Sequence, residues 1–402
     1  MREADPRISA MKFVYFDSFG QGIAVALRVM KSKCMFMHLA LMALMAIPLK
    51  AEKTVKVFIL AGQSNMEGKG LAAHLDTYKE DPLIKPWYGI VKKGAAWVER
   101  DDVFITYPTK SSGAKHGPLT VDYGTKGKNS IGPEFGFGHA VGEALDEPVL
   151  IIKTAWGGKS VHKPYRPPSA LPTDDELKAM HAEMQAKFKA TIEANEKKKA
   201  EGKKFRAPKP VPNFEELKAS FGDHYLKMVS HVKGELDDFE DKFPALKGHK
   251  PVLAGFVWHQ GFNDLVNGYY KTHEQGYADY TKWMGMLIKD LRKDLNAPDL
   301  PVVIGELSTG GVEKRGPFQE AQANIAKLPD FKGSVVFVKT AEFQDKVALQ
   351  YFNEGLWKKG EEGMKKWMTV GNDRPYHYLG SGKWYFLKGI AFGEAMAKLH
   401  QR

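Results

Sequence analysis

Short apolar runs recur along the chain at Val55–Ala61, Pro148–Thr154, Val252–Trp258, Pro301–Glu306 and Ser334–Lys339, each bounded by turn-forming residues. Polar residues do not alternate through them, so both faces need cover, as in the strands of a parallel sheet. Helical spacing fills the gaps. Glu134–Leu145 follows Pro133, a residue suited to a first helical turn. Glu274–Leu295 sets Tyr277, Tyr280, Met284, Leu287 and Leu291 on one stripe, and Gly382–Leu399 forms the last helix. Strands alternating with helices predict a three-layer α/β/α sandwich around a parallel, flavodoxin-like sheet.

Two regions exceed the minimal version of that fold. A helical insertion at about 165–250 contains charged stretches near Asp174–Lys204 and Phe214–Phe239, expected to lie beside the active face as a cap. A second insertion, about 342–370, carries Phe352, Trp357 and Trp367, expected mainly in burial against the sheet rather than as a sugar platform.

The N-terminal part reads differently. Met30-Lys31-Ser32-Lys33 is a short basic start before an apolar segment from Cys34 to Pro48, with Leu49-Lys50-Ala51 as a cleavage site. That is the layout of a secretory signal peptide, too short for a comfortable membrane span. Residues 1–51 are therefore expected to be a leader starting at Met30, with an uncleaved N-terminal anchor as the alternative, and 52–402 the working domain, secreted or periplasmic. Cleavage would remove Cys34, the sole cysteine, and with it any disulfide, thiolate nucleophile or cysteine metal site.

Charge changes the picture little. The formal net charge is +11, and residues 1–51 hold seven Lys/Arg against three Asp/Glu, leaving +7 for the remainder. The densest basic stretch, Lys197 to Arg206, runs into Pro208, Pro210 and Pro212 and reads as a solvated helix end rather than a nucleic-acid face. There is no His-Glu-x-x-His, no paired His/Asp cluster and no phosphate loop, so neither a metal nor a cofactor is implied.

The candidate chemistry lies where the apolar runs stop. Gly62-Gln63-Ser64-Asn65-Met66 ends the first run, where open α/β sheets present their reactive groups. Ser64 is the candidate nucleophile, and a serine needs a base within hydrogen-bond reach. The alternative is a helix-capping serine. Trp156-Gly157-Gly158 and Gln260-Gly261-Phe262-Asn263-Asp264 follow two further runs, and Asp373 and His377 lie near the C-terminus. An imidazole can take and return the serine proton near neutral pH.

These blocks, in this order from about Val55 to Met396, resemble the SGNH hydrolases, and within them the sialate O-acetylesterase-like carbohydrate esterases of acetylxylan esterase type. The resemblance implies Ser64, His377 and Asp373 as a catalytic triad. It implies an oxyanion hole of the Ser64 and Gly157 N–H groups with the Asn263 side chain, and substrate contacts from Gln63, Gln260 and Arg166. Glu134, in Ile131-Gly132-Pro133-Glu134, would support the serine loop. The chain departs from the family pattern twice: Phe262 stands where relatives carry glutamate, and Asp373 and His377 are one residue further apart than Asp-x-x-His. The implied function is an exported serine esterase removing O-acetyl groups from carbohydrate through an acetyl-enzyme, with acetylated polysaccharide or sialic acid as partner. A lipid or short-chain ester hydrolase, or a non-catalytic glycan-binding protein of the same fold, is the alternative.

Overall fold

A mostly parallel sheet organises the protein. The computed structural model describes residues 52–109, 113–266, 272–308 and 316–401; the expected leader and Cys34 lie outside them. The strands are β1 (Thr54–Gly62), β2 (Val103–Thr109), β3 (Gly113–Pro118), β4 (Val149–Ala155), β5 (Lys250–His259), β6 (Val302–Gly305) and β7 (Val335–Val338). They lie in the order β7-β6-β5-β1-β4-β2-β3, all parallel except β3, which runs antiparallel to β2. The strands β4-β1-β5-β6-β7 reproduce the flavodoxin-like 2-1-3-4-5 order, whose switch point lies beside the first strand. The hairpin β2–β3 extends that sheet beyond β4.

The helices that matter here are α1 (Ser64–Glu67), α2 (Pro133–Ala144), α3 (Asp174–Ala200), α4 (Asp223–Asp237), α5 (Phe262–Val266), α6 (His273–Asp294), α7 (Pro317–Ile325) and α8 (Gly382–His400). Alternate residues of β1 point to opposite layers. Val55, Val57, Ile59 and Ala61 join a core with Tyr225 and Met228 of α4, Met284 and Leu287 of α6 and Phe318 of α7. Phe58 and Leu60 face Phe137 and Val141 of α2 and Phe392 and Met396 of α8. Burying side chains of this size contributes about 1.5–3 kcal/mol each, which explains runs apolar on both faces. Gly136 lets α2 and α8 touch: a Cβ there would lie 2.2 Å from the Phe386 carbonyl oxygen.

The helical insertion divides into two kinds of helix. α3 opens with a capping box at Thr173 and Glu176 and is largely exposed, with only Leu177 and Asn195 buried. α4, in contrast, buries Tyr225, Met228, Val229 and Val232 and completes one layer of the sandwich. In the second insertion Trp367 is buried, while Phe352 and Trp357 stack partly exposed at 6.3 Å. No helix among the described residues is long and apolar enough to cross a membrane.

Candidate active site

β1 ends at Gly62 in close contact with the end of β5. Gly62 adopts φ +154°, and a Cβ there would lie 2.2 Å from the His259 carbonyl oxygen, so any side chain would force the strand ends apart. The Gly62 carbonyl accepts hydrogen bonds from the Tyr165 hydroxyl at 2.8 Å and the Trp156 N–H at 3.2 Å. Ser64 then opens α1 after Gln63 occupies the cap position. No side chain caps this helix, and the Ser64 hydroxyl hydrogen-bonds no described residue. The capping alternative therefore does not describe Ser64.

His377 reaches the same cavity from the other end of the chain. His377, Tyr378 and Leu379 adopt φ of +54°, +54° and +57°, three consecutive left-handed residues without a glycine. Such residues cost roughly 1–2 kcal/mol each and persist only where the surroundings hold them. The Leu379 carbonyl at the end of the turn accepts the Asn372 and Asp373 N–H groups at 2.9 and 3.1 Å, closing the loop, and His377 Nδ1 donates to Asp373 Oδ2 at 2.8 Å. The additional residue between acid and base therefore does not keep the two apart. Partial burial works to raise the Asp373 pKa, but the His377 hydrogen bond, the Arg374 N–H and the Lys126 charge outweigh it, and the net shift is downward. Asp373 stays ionised, and with Nδ1 carrying the proton, His377 Nε2 is the ring atom able to accept another.

The candidate oxyanion donors sit on neighbouring strand ends. Gly157 follows β4, and a Cβ at Gly157 would lie 3.4 Å from Ser64 Cβ. Its N–H donates to Glu67 Oε1 at 2.8 Å. Asn263, on α5 after β5, lines the same cavity. Gln63 and Gln260 brace these ends from within. Gln260 Nε2 donates to Asp264 Oδ2 at 2.6 Å, to Lys159 O at 2.9 Å and to Gln63 Oε1 at 3.2 Å. Asp264 also accepts from the Val161 and His162 N–H groups at 3.0 and 2.9 Å. Burial raises its pKa from 3.8 to about 6 against those hydrogen bonds.

Two buried clusters stand behind the site. Lys153 and Glu134, both fully buried, pair at 2.7 Å, and Lys153 also donates to the carbonyls of Glu67 and Tyr123, each at 2.8 Å. Burial lowers the Lys153 pKa while the Glu134 charge opposes the shift. Glu134 in turn accepts the Gly132 N–H at 2.7 Å. The expected support of the serine loop by Glu134 therefore runs through Lys153 to the last residue of α1. His259 is equally buried: its Nε2 lies 3.1 Å from the Tyr378 hydroxyl and 3.4 Å from Lys388 Nζ. Burial, then the Lys388 charge, hold His259 well below its ordinary pKa. It anchors the left-handed turn and does not line the cavity.

The cavity, about 670 Å³, is lined by Gln63, Ser64, Gly157, Asn263 and His377 among others. Asp373 stands behind His377. Gln260 is fully buried and does not line it. Nor does Arg166, which donates to the His162 carbonyl at 2.7 and 2.9 Å and lies over the Trp283 ring at 3.1 Å. Those two residues were expected at the substrate, and their side chains are instead used within the fold. Phe262 does line the cavity, edge-on to Tyr376 at 5.7 Å, giving an aromatic rim. Glu67, Lys69, Ser308 and Tyr378 also line it without having been expected there; for Glu67 the available signal was its position three residues after Ser64. Among the described residues no group of His, Cys, Asp and Glu is arranged to hold a metal ion.

A family model described as carbohydrate esterase, sialic acid-specific acetylesterase, matches residues 54–199 and 216–354. Ser64, Gly157 and Asn263 fall within that match, whereas Asp373 and His377 follow it. No curated protein matches. Among solved structures, a protein of Arabidopsis thaliana is similar at 17% identity over 86% of this chain and 98% of its own, with a TM-score of 0.44. The structure of NanS is similar at 14% identity over 88% of this chain and 99% of its own, with a TM-score of 0.45. A carbohydrate acetylesterase from Xanthomonas citri shares 13% identity over 72% of this chain and 51% of its own, with a TM-score of 0.39; the match spans about half of that protein.

Proposed function

Because the chain belongs to the carbohydrate esterase family described as sialic acid-specific acetylesterase, and is a carboxylic ester hydrolase, we propose that it removes O-acetyl groups from carbohydrate through an acetyl-enzyme on Ser64. The observation that carries this reading is that Ser64 and His377 line one cavity while Asp373 holds His377 Nδ1 at 2.8 Å.

In this mechanism His377 Nε2 takes the Ser64 proton as the oxygen attacks the acetyl carbonyl. The Ser64 N–H, the Gly157 N–H and the Asn263 amide stabilise the tetrahedral oxyanion, and such preset donors are worth about 3–4 kcal/mol each. His377 then protonates the departing sugar oxygen. The same imidazole activates water, which releases acetate and regenerates the serine. Gln260 acts by holding the strand ends, whereas Gln63 both accepts the Gln260 amide and lines the cavity where the sugar would sit. The pattern from Met30 to Ala51 supports export.

The aromatic rim of Phe262 and Tyr376 favours one second reading, a hydrolase of simple short-chain or lipid esters with the same triad. Acetate release from acetylated xylan, O-acetylated sialic acid and glyceryl acetates separates the two. The carbohydrate reading expects the glycans to be preferred, with Ser64→Ala and His377→Ala each abolishing release. Preference for glyceryl esters would favour the second reading. Undiminished release by either variant would remove that residue from the mechanism.

A further inference from the structure

The Gly157 N–H has two claimants. In the oxyanion-hole reading it must donate to the tetrahedral intermediate, yet it already donates to Glu67 Oε1 at 2.8 Å. A Cβ at Gly157 would lie 3.2 Å from Glu67 Oε2 and 3.4 Å from Ser64 Cβ, so the carboxylate and the nucleophile crowd one glycine. A carboxylate and an oxyanion cannot share that donor: each repels the other, and the repulsion is strong in a partly buried site. Glu67 therefore has to leave the Gly157 N–H before acyl transfer.

The surroundings offer it somewhere to go. Lys69 Nζ donates to Glu67 Oε2 at 3.1 Å and also to the Thr125 hydroxyl. Both side chains of the pair are largely buried, at 7% and 15% exposure, and both residues line the cavity beside Ser64. Turning toward Lys69 keeps one charge-assisted hydrogen bond and gives up the other. A sugar hydroxyl next to the ester can replace the lost N–H, because an ionised carboxylate accepts from alcohols and from amides alike. A simple acetate ester has no such donor.

We propose that Glu67 is a substrate-operated latch on the oxyanion site: a hydroxyl of the sugar bearing the acetyl group takes the place of the Gly157 N–H on Glu67 and so frees that N–H for the intermediate. This rests on the reading of Ser64 and Gly157 given above. It identifies the substrate class as acetyl esters with a free neighbouring hydroxyl, and it couples sugar recognition to kcat rather than to binding alone. Glu67 contacts the sugar hydroxyl and never the reacting carbonyl.

The test compares three esters with the full chain: a mono-O-acetylated methyl xyloside with free hydroxyls, its otherwise O-methylated counterpart, and para-nitrophenyl acetate. The wild type should prefer the first. Glu67→Ala should raise kcat on the two hydroxyl-free esters by about tenfold, part of the roughly 10²–10³ that one oxyanion donor is worth, while leaving kcat on the first little changed and raising its KM, so that the preference collapses. Glu67→Gln, which keeps an acceptor without the charge, should move the preference in the same direction and carries the test if the alanine variant fails to fold. A parallel loss on all three esters, with the melting temperature unchanged, would overturn the latch. So would activity that Ser64→Ala abolishes but whose substrate preference Glu67 variants leave untouched. Activity surviving Ser64→Ala would instead overturn the underlying reading, and the latch with it.

Discussion

Asp373 and His377 meet at 2.8 Å although three residues separate them, in a loop closed by the Asn372 and Asp373 N–H groups on the Leu379 carbonyl. Asp373 bears on Nδ1, and its role in the proposed reaction is to fix the tautomer and stabilise the imidazolium. Asp373→Asn should lower kcat by about 10³-fold or more with little change in KM, as expected when the ring loses its orienting carboxylate. Steady-state kinetics on an activated acetate ester check this; an unchanged kcat would assign the orientation of His377 to other groups.

Asn263 lines the cavity from α5. If its amide serves the oxyanion, Asn263→Ala should cost about 10²–10³ in kcat. Its KM should move much less, since the ground-state carbonyl interacts weakly with that donor. A change confined to KM would make Asn263 a substrate contact only.

The Lys153–Glu134 pair is fully buried. Removing one partner strands the other charge, so Lys153→Met should destabilise the fold by about 3–5 kcal/mol. The double variant Lys153→Met, Glu134→Gln should recover part of that loss because no charge is left unpaired. Denaturant unfolding of the two variants decides the matter; equal stability of both would show that the pair is not coupled.

Asp264 gives a pH signature. Burial lifts its pKa from 3.8 to about 6, so the folded protein keeps a proton that the unfolded chain has already released between those values. The unfolded chain then binds fewer protons, and this contribution falls as pH rises from about 4 to about 6. Its size is about 3 kcal/mol, at about 1.4 kcal/mol for each pKa unit. The stability gap between wild type and Asp264→Asn should therefore change by about that amount across the window. Chemical unfolding at several pH values measures it, and a constant gap would show that Asp264 keeps its ordinary titration.

Much of this was legible in the chain, for physical reasons that also explain the gaps. Strands covered on both faces must be apolar throughout, so β1, β4, β5, β6 and β7 announce themselves within a residue or two. The hairpin β2–β3 does not: β2 contains Pro108, and β3 reads Gly-Ala-Lys-His-Gly-Pro, an edge strand with no apolar face to display. Phe214–Phe239 reads as a charged excursion because α4 exposes a polar side, yet its Tyr225, Met228 and Val232 close a layer of the core. At the site, Ser64, Gly157 and Asn263 are visible because each follows an apolar run. Gln260 and Arg166 were expected at the substrate, but sequence records polarity and not burial, and both spend their donors on backbone or neighbouring side chains. Glu67 escapes notice because only the close approach of the β4 end brings its carboxylate onto the Gly157 N–H, and Lys69 because its contact is with Glu67 itself.

Ser64, Gly157 and Asn263 hang from the ends of β1, β4 and β5, which are immediate neighbours in the sheet. Their spacing is consequently inherited from a ruler of about 4.8 Å that the backbone supplies. Variation along the largely exposed α3 arm, which contributes no residue to the cavity lining, leaves that spacing untouched. Only the imidazole, carried on its own turn, lies outside that ruler and has to be aligned separately.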